Sequence, residues 1–491
     1  MPNSFARLAA LALLWGCSAG YRQPAVNIAP AYGAASPAGE RRADIPGVEP
    51  AGAMQSKVDR PSPVHFSQAL STVPFWRELG DSTLMQLVDV AVRANNDVRV
   101  AEARLTSSRS SRRLAALDLA PTVTAIGSAT RQRQSIAMIP GLSSQLPEQQ
   151  LWDFGFDAAW EVDIFGRVGR TVRAQSALVA SAEHGVEDVQ VSVAAEVART
   201  YFELRGAQQQ LAVATRNAEN QQRTVKLTED RLSAGRGTAF DTERAKSALY
   251  LTLAAVPGIE AQIERSRQRI AVLVGRPPEE LPAALFSAGQ LPRLPDTLRV
   301  GSPEQLVRRR PDVLRAERRV AAQALLSGAA RSEYLPRLTI GARAGYAATS
   351  FDSLTRTGTS RVVFGPILSW PLLDLGRVRE RVGIAQAQQD EAEAEHTATV
   401  LRALEESEGA LTTYDRAHAR LGILEDAVRS SARAADLARQ RFDAGLTDLL
   451  QVLDAQRTLL DAENQLALGH TAAATALVAV YKAVGGTWPI R

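Results

Sequence analysis

The stretch Trp152-Asp153-Phe154-Gly155-Phe156-Asp157-Ala158-Ala159-Trp160-Glu161-Val162-Asp163 decides the fold. Along an extended chain Trp152, Phe154, Phe156, Ala158, Trp160 and Val162 point one way. Asp153, Gly155, Asp157, Ala159, Glu161 and Asp163 point the other. Unbroken alternation marks a strand with one apolar and one polar face. Its length matches the ~9–11 residues that cross a bilayer as a tilted strand. A strand of a soluble sandwich alternates too. Tryptophans near both ends of the apolar face, opposite an acidic face, favour a wall between lipid and a watery lumen.

Three further runs share the style. Leu338, Ile340, Ala342, Ala344 and Tyr346 alternate with Thr339, Gly341, Arg343 and Gly345. Val362, Phe364, Pro366, Leu368 and Trp370 form another apolar face, and Thr122 to Thr130 is a weaker case. The chain thus supplies four strands in two hairpins, about 120–164 and 335–373. Four strands cannot close a membrane barrel, whose smallest form has about eight. An open sheet leaves backbone groups unpaired in lipid, at several kcal/mol each. If these strands span a membrane, several chains must share one barrel.

The chain also repeats itself. Phe154-Gly155 recurs as Phe364-Gly365, Trp160 as Trp370, and Gly166-Arg167-Val168 as Gly376-Arg377-Val378. Arg231 to Gly235 recurs as Arg441 to Gly445, and Val274-Gly275 as Val484-Gly485, all at an offset of 210. Upstream, Asp97-Val98 recurs as Asp312-Val313 and Pro121 as Pro336, at 215. A period this long is a duplicated domain, not a solenoid. We place the first repeat at 75–290 and the second at 291–491.

Most of the remainder reads as helix. Stretches 166–235 and 376–445 hold few breakers, and Val186, Val189, Val193, Val197, Tyr201, Leu204 and Leu211 trace a near-heptad stripe. At ~1.5 Å per residue such helices reach about 100 Å, and their polar surface suits antiparallel coiled-coil packing. Shorter helices are predicted at 239–275 and 448–484, with others at 81–118 and 303–332. Pro257-Gly258 predicts a kink or interruption in the first return helix. Gly235 and Gly445 fit C-cap turns, and Thr238 and Thr447-Asp448 fit the following N-caps. Each long helix leaves a strand, so these turns are expected far from the hairpins.

The N-terminus sets the compartment. Arg7 precedes the apolar run Leu8 to Leu14, short for a span and right for a signal core, so 1–16 reads as a signal peptide. Leu14-Trp15-Gly16-Cys17 resembles a bacterial lipobox, whose cysteine is acylated, and Ser18 suits outer-membrane sorting. Cys17 is the only cysteine, which excludes a structural disulfide. The Pro-, Ala- and Gly-rich residues 17–74 read as a lipidated tether, with the folded body starting at Phe75. Net charge is +4 with both signs interleaved, so no nucleic-acid partner is expected. The five histidines, His65, His184, His396, His418 and His470, are scattered without metal or catalytic spacing. No phosphate loop or nucleophile elbow occurs. We expect no enzyme, no metal and no cofactor beyond a covalent lipid.

With these residues in hand the chain resembles a TolC-type outer-membrane factor, in the lipoprotein branch that serves tripartite efflux systems of the RND class. The matching segments are Phe75-Trp76, Asn95 to Val98, Val256 to Glu260 and Leu273 to Pro277. Arg308-Arg309-Arg310-Pro311-Asp312-Val313, Tyr334 to Leu338 and Leu450 to Gln456 complete the set. The resemblance implies an α+β fold: four strands from each of three chains in one outer-membrane barrel, continuous with a long periplasmic helical barrel. It implies a belt near 276–305 and both termini, and a homotrimer docking a periplasmic adaptor and an inner-membrane RND-type transporter. It also implies a periplasmic gate in which Gln451 and Asp454 take the acidic-ring positions and Asp241 helps hold closure. Phe442 lacks the hydroxyl some members use there, and Thr447 replaces a basic residue. The function implied is a passive duct exporting small molecules from periplasm or pump. The alternatives are a type I protein-secretion channel of the same fold and a pore-free periplasmic coiled-coil lipoprotein.

Overall fold

The structure is a computed structural model and describes residues 28, 31–32, 64–69, 75–133 and 148–486. In chain order the elements are β1 (His65–Ser67), α1 (Phe75–Glu78), α2 (Ser82–Ala94), α3 (Asn96–Leu117), β2 (Thr122–Gln132) and β3 (Gln149–Val162). There follow α4 (Arg167–Ser233), α5 (Ala239–Leu273), β4 (Thr297–Arg299), α6 (Pro303–Val307) and α7 (Pro311–Arg331). The last are β5 (Arg337–Ala348), β6 (Ser360–Ser369), α8 (Leu375–Asp443) and α9 (Leu449–Ala483). The described chain divides into two compact units. One holds 104–183 and 315–397; the other holds 27–103, 184–314 and 398 onward.

The first unit carries the sheet. Its order is β2-β3-β5-β6, every pair antiparallel, so the two hairpins join through β3 and β5. The alternation predicted at Trp152 to Val162 appears as written. Phe156, Val362, Phe364 and Leu368 stand 60%, 78%, 72% and 68% exposed on one face, an apolar surface that water does not stabilise. The other face carries charge in pairs. Arg343 donates to both carboxylate oxygens of Asp157 at 2.6 and 2.5 Å, and Arg361 donates to Asp153. The two hairpins are closed at their base in the same way. Trp160 Nε1 donates to the Leu119 carbonyl and Trp370 Nε1 to the Tyr334 carbonyl, each at 3.0 Å. β2 and β6 each pair on one side only.

The second unit is helical. The predicted stripe on α4 is most deeply buried at Val197, Tyr201 and Leu204, with Val186, Val189 and Leu211 half-buried. α5 runs unbroken through Pro257, so the predicted interruption does not occur. The ring removes one N–H donor, and the rest of the ladder holds the helix through it.

The helices predicted at 81–118 and 303–332 are each two helices. Asn95 turns extended between α2 and α3, with ψ 136. Its Oδ1 accepts from Asp97 N at 2.7 Å, and its Nδ2 donates 2.9 Å to the carbonyl of Leu273, the last residue of α5. In the second repeat Arg308-Arg309-Arg310 separates α6 from α7. Arg310 donates 3.0 Å to the carbonyl of Ala483, the last residue of α9, and also to Asp312 and Glu406. Burial works against its charge, yet Asp312 and Glu406 hold its pKa above the ordinary guanidinium value. A tertiary demand for a donor at each helix end overrides local helix propensity.

Among the described residues of the expected tether, some are packed. β1 pairs in parallel with β4, and Tyr32 is 3% exposed. The folded body therefore begins before Phe75. Val64 and Phe66 are apolar enough to seat a short strand against the segment linking the repeats. The belt implied for 276–305 contains two 3₁₀ turns, Pro278–Glu280 and Ala283–Leu285. Leu285 is buried, and Arg205 and Gln208 of α4 donate to the carbonyls of Ala284, Ser287 and Leu285.

Candidate gate at the two helix turns

α4 turns into α5, and α8 into α9, by one and the same device. Gly235 and Gly445 adopt φ 67 and 72, a left-handed conformation that costs an L-residue about 1 kcal/mol or more. Arg236 N donates to the Arg231 carbonyl and Leu446 N to the Arg441 carbonyl, each at 2.8 Å. Gly235 N and Gly445 N donate to Leu232 and Phe442 carbonyls at 3.0 Å. These are paired Schellman closures, satisfying carbonyls that the helix ends leave open.

The next helices start with the same charge in swapped places. α5 is capped by the neutral Thr238, which accepts from Asp241 N at 3.1 Å and donates to Asp241 Oδ2 at 2.6 Å. α9 is capped by the acid Asp448, which accepts from Gln451 N at 3.1 Å. Gln451 is neutral and accepts from the Thr447 hydroxyl. Asp241 and Gln451 occupy the same place in the repeat. Each helix start therefore carries one carboxylate, as its dipole favours.

Asp454 lies one turn further along α9. It is exposed, and its carboxylate has no partner among the described residues. Asp454 and Gln451 are three residues apart on α9, one helical turn. Asp241 belongs to the other turn, where Thr238 engages it. Cys17 lies outside the described residues.

Phe442 is 7% exposed and packs with Leu449 and Val452, with Leu227 of α4 against the cluster. The Arg231 guanidinium sits 4.1 Å from the centre of its ring. This partnership was missed in the sequence. Arg231 was visible there only as a repeat residue, and nothing local says that a side chain from α4 stacks on α8. Two histidines also meet a carboxylate, contrary to the scattered reading: His184 with Glu187 at 2.8 Å and His418 with Asp296 at 3.3 Å. Among the described residues no cluster of three metal-ligating side chains forms.

A four-stranded sheet with one apolar and one charged face, in a chain that also carries long paired helices, marks a channel protein of the bacterial outer membrane. The chain belongs to the outer membrane efflux protein family, whose profile matches it twice, at residues 87–276 and 302–486. The two matches follow the duplication. It is similar to the outer membrane protein OprJ of Pseudomonas aeruginosa, 28% identical over 420 residues, covering 86% of this chain and 87% of that one. It is 30% identical over 434 residues to the pyoverdine export outer membrane protein OpmQ of Pseudomonas putida, covering 86% and 90%. Among solved structures, the outer-membrane channel OprN matches with a TM-score of 0.83 and 35% identity, over 96% of this chain and 99% of that one. The CmeC outer membrane channel of Campylobacter jejuni, at 19% identity and a TM-score of 0.81 over 95% and 94%, supports the fold alone. The protein is an outer-membrane channel of the tripartite efflux type.

Proposed function

We propose that three copies of this chain form one passive duct that exports small molecules, joined to a periplasmic adaptor and an inner-membrane transporter of the RND class. The observation that carries this is the four-stranded sheet with an apolar exposed face and one unpaired side on each of β2 and β6. In lipid those edges need partners, and another copy offers the matching edges. The relatives carry pyoverdine, toluene and antibiotic in their names, cargoes of unlike chemistry. A wide conduit with selection left to the pump fits that spread.

In this reading the turns at Gly235 and Gly445 are the periplasmic end, and Asp454 with Gln451 borders the opening there. Asp241 holds the start of its helix beside them. Residues 1–16 are removed as a signal and Cys17 becomes the acylated N-terminus, in the lipoprotein branch of the family. The barrel itself inserts, so lipid at Cys17 serves maturation more than residence. Channel recording in planar bilayers, with native mass measurement of the same preparation, tests the assembly. A trimer with stable conductance is expected, and a conducting species of any other copy number overturns it. Intact mass should give a lipidated N-terminus at Cys17; an unmodified terminus elsewhere overturns that part.

A further inference from the structure

The segment that precedes β4 passes from α4 to α8 and is fastened at its two ends. At the α4 end Arg205 donates to the carbonyls of Ala284 and Ser287 at 3.1 and 2.9 Å, and Gln208 donates to that of Leu285 at 2.9 Å. At the α8 end the Tyr414 hydroxyl donates 2.9 Å to the Pro295 carbonyl, and His418 Nε2 lies 3.3 Å from Asp296. Between these ties residues 288–294 form no regular element and make no backbone hydrogen bond to another described residue. They wall a cavity of about 880 Å³ together with side chains of α4, α8 and α9. All of its lining belongs to the second, helical unit. Gly289 permits this course, since a Cβ there would stand 2.5 Å from the Arg205 guanidinium carbon.

The wall carries more positive charge than negative, and part of it is unanswered. Arg216 and Arg293 make no ion pair among the described residues, and Glu425 is the one carboxylate in the lining. Arg205, 5% exposed and against Gly289, donates only to the neutral oxygens of Gln208, Ala284 and Ser287. His418 Nδ1 is buried with no hydrogen-bond partner. Buried polar groups ordinarily find partners, and a cleft of one sign concentrates the opposite ion. Leu291, Pro292, Leu294 and Leu421 supply an apolar wall beside these groups. Such a mixture, at this volume, is what small organic ligands occupy.

We infer that this cavity binds a small organic monoanion, with its carboxylate between Arg216 and Arg293 and its apolar body against Leu291, Pro292 and Leu421. A neutral guest would leave both guanidiniums unanswered. A bare inorganic anion would leave the apolar wall in contact with water. Once in place the guest joins α4 to α8 under the fastened segment. One chain builds the whole wall, so the site does not depend on how many copies surround the duct.

The test is isothermal titration of the full-length assembled protein, in neutral detergent, with naphthoate, its neutral isostere naphthamide, and inorganic phosphate. Naphthoate should bind about tenfold or more tighter than naphthamide, and should raise the melting temperature as its concentration rises. Phosphate should displace it only at large excess. Arg216→Gln and Arg293→Gln keep polarity and lose the charge. Each should weaken naphthoate about tenfold and leave naphthamide unchanged, a selective loss that a merely structural role does not produce. Arg265→Gln, at an exposed arginine of α5 outside the wall, should match the parent. Retention of the oligomer on gels screens for folding. Equal affinity for naphthoate and naphthamide overturns the site. So does displacement by phosphate at matched concentration, or unchanged naphthoate affinity in both arginine variants. None of these readouts uses conductance, so their failure leaves the reading of the duct standing.

Discussion

Asn95 and Arg310 stand at matching places in the two repeats and answer matching helix ends, but one is a neutral amide and the other a guanidinium. Asn95 donates to the Leu273 carbonyl and with its oxygen starts α3. Arg310 donates to the Ala483 carbonyl and gathers Asp312 and Glu406 around its charge. The difference teaches what duplication preserves. It preserves the place where a helix runs out of partners for its carbonyls, since that follows from backbone geometry. It does not preserve the group that answers, since any donor of the right reach will serve.

The contrast predicts unequal losses. Arg310→Leu takes away the cation facing Asp312 and Glu406 and the donor to the Ala483 carbonyl at a site 7% exposed, and should cost about 3 kcal/mol. Asn95→Ala loses neutral hydrogen bonds and should cost about 1–2 kcal/mol. Denaturant titration of the folded protein in detergent measures both. Equal losses would erase the distinction drawn between the repeats.

A second contrast is between Tyr201 and its repeat counterpart Leu411, both within 1% of full burial. Burial, together with the Asp81 carboxylate that accepts from its hydroxyl at 2.6 Å, pushes Tyr201 up to about 12 from an ordinary 10.0. Because the folded value is the raised one, the unfolded chain releases its proton first as pH rises. Stability from this source is intact below pH 10 and falls between 10 and about 12. Tyr414 and Tyr481 are also pushed up by burial, so the loss is shared. Tyr201→Phe should flatten part of the alkaline decline in melting temperature. The same decline in the variant and its parent would remove Tyr201 from the account.

The two turns sharpen the comparison further. Asp448→Ala removes cap and charge together from α9 and should cost about 1 kcal/mol; Asp448→Asn keeps the cap and should cost a few tenths. At Thr238 the charge sits on Asp241 instead, so Thr238→Ala should match only the cap part of the Asp448 loss. Thermal melts of the variants decide, and a Thr238→Ala loss larger than that of Asp448→Ala would contradict the swapped-charge reading. Smallest is the effect on ions. Asp454 corresponds in the first repeat to Arg244, so only the second turn offers a free acid there. Asp454→Ala should lower cation-over-anion permeability roughly twofold and weaken block by trivalent cations, and Gln451→Asp should raise both. Unchanged reversal potentials in both variants would make Asp454 a helix-start residue and nothing more.

What was legible in the sequence was what is local. The strand from Trp152 to Val162 and the turns at Gly235 and Gly445 follow from alternation and from left-handed glycine, each read within a dozen residues. The breaks at Asn95 and Arg310 were not legible, because their causes are carbonyls 178 and 173 residues away. The same holds for Arg231 on Phe442, a contact between two helices that no period encodes. β1 was lost among prolines and alanines, and only its pairing with β4 makes it a strand. Asp241 was placed at the candidate gate by resemblance, and its bonds to Thr238 put it in the first turn of its own helix.

The one-sided pairing of β2 and β6 has a genetic consequence. Every copy must lend an edge to its neighbours, so a copy with a damaged edge is not merely absent from the population. It occupies a place in the ring and leaves that ring open. Lesions on the outer edge of β2 or β6 will therefore interfere when expressed beside the normal gene, in proportion to dose. Lesions that stop a chain from folding at all will be recessive, since such a chain never reaches its partners.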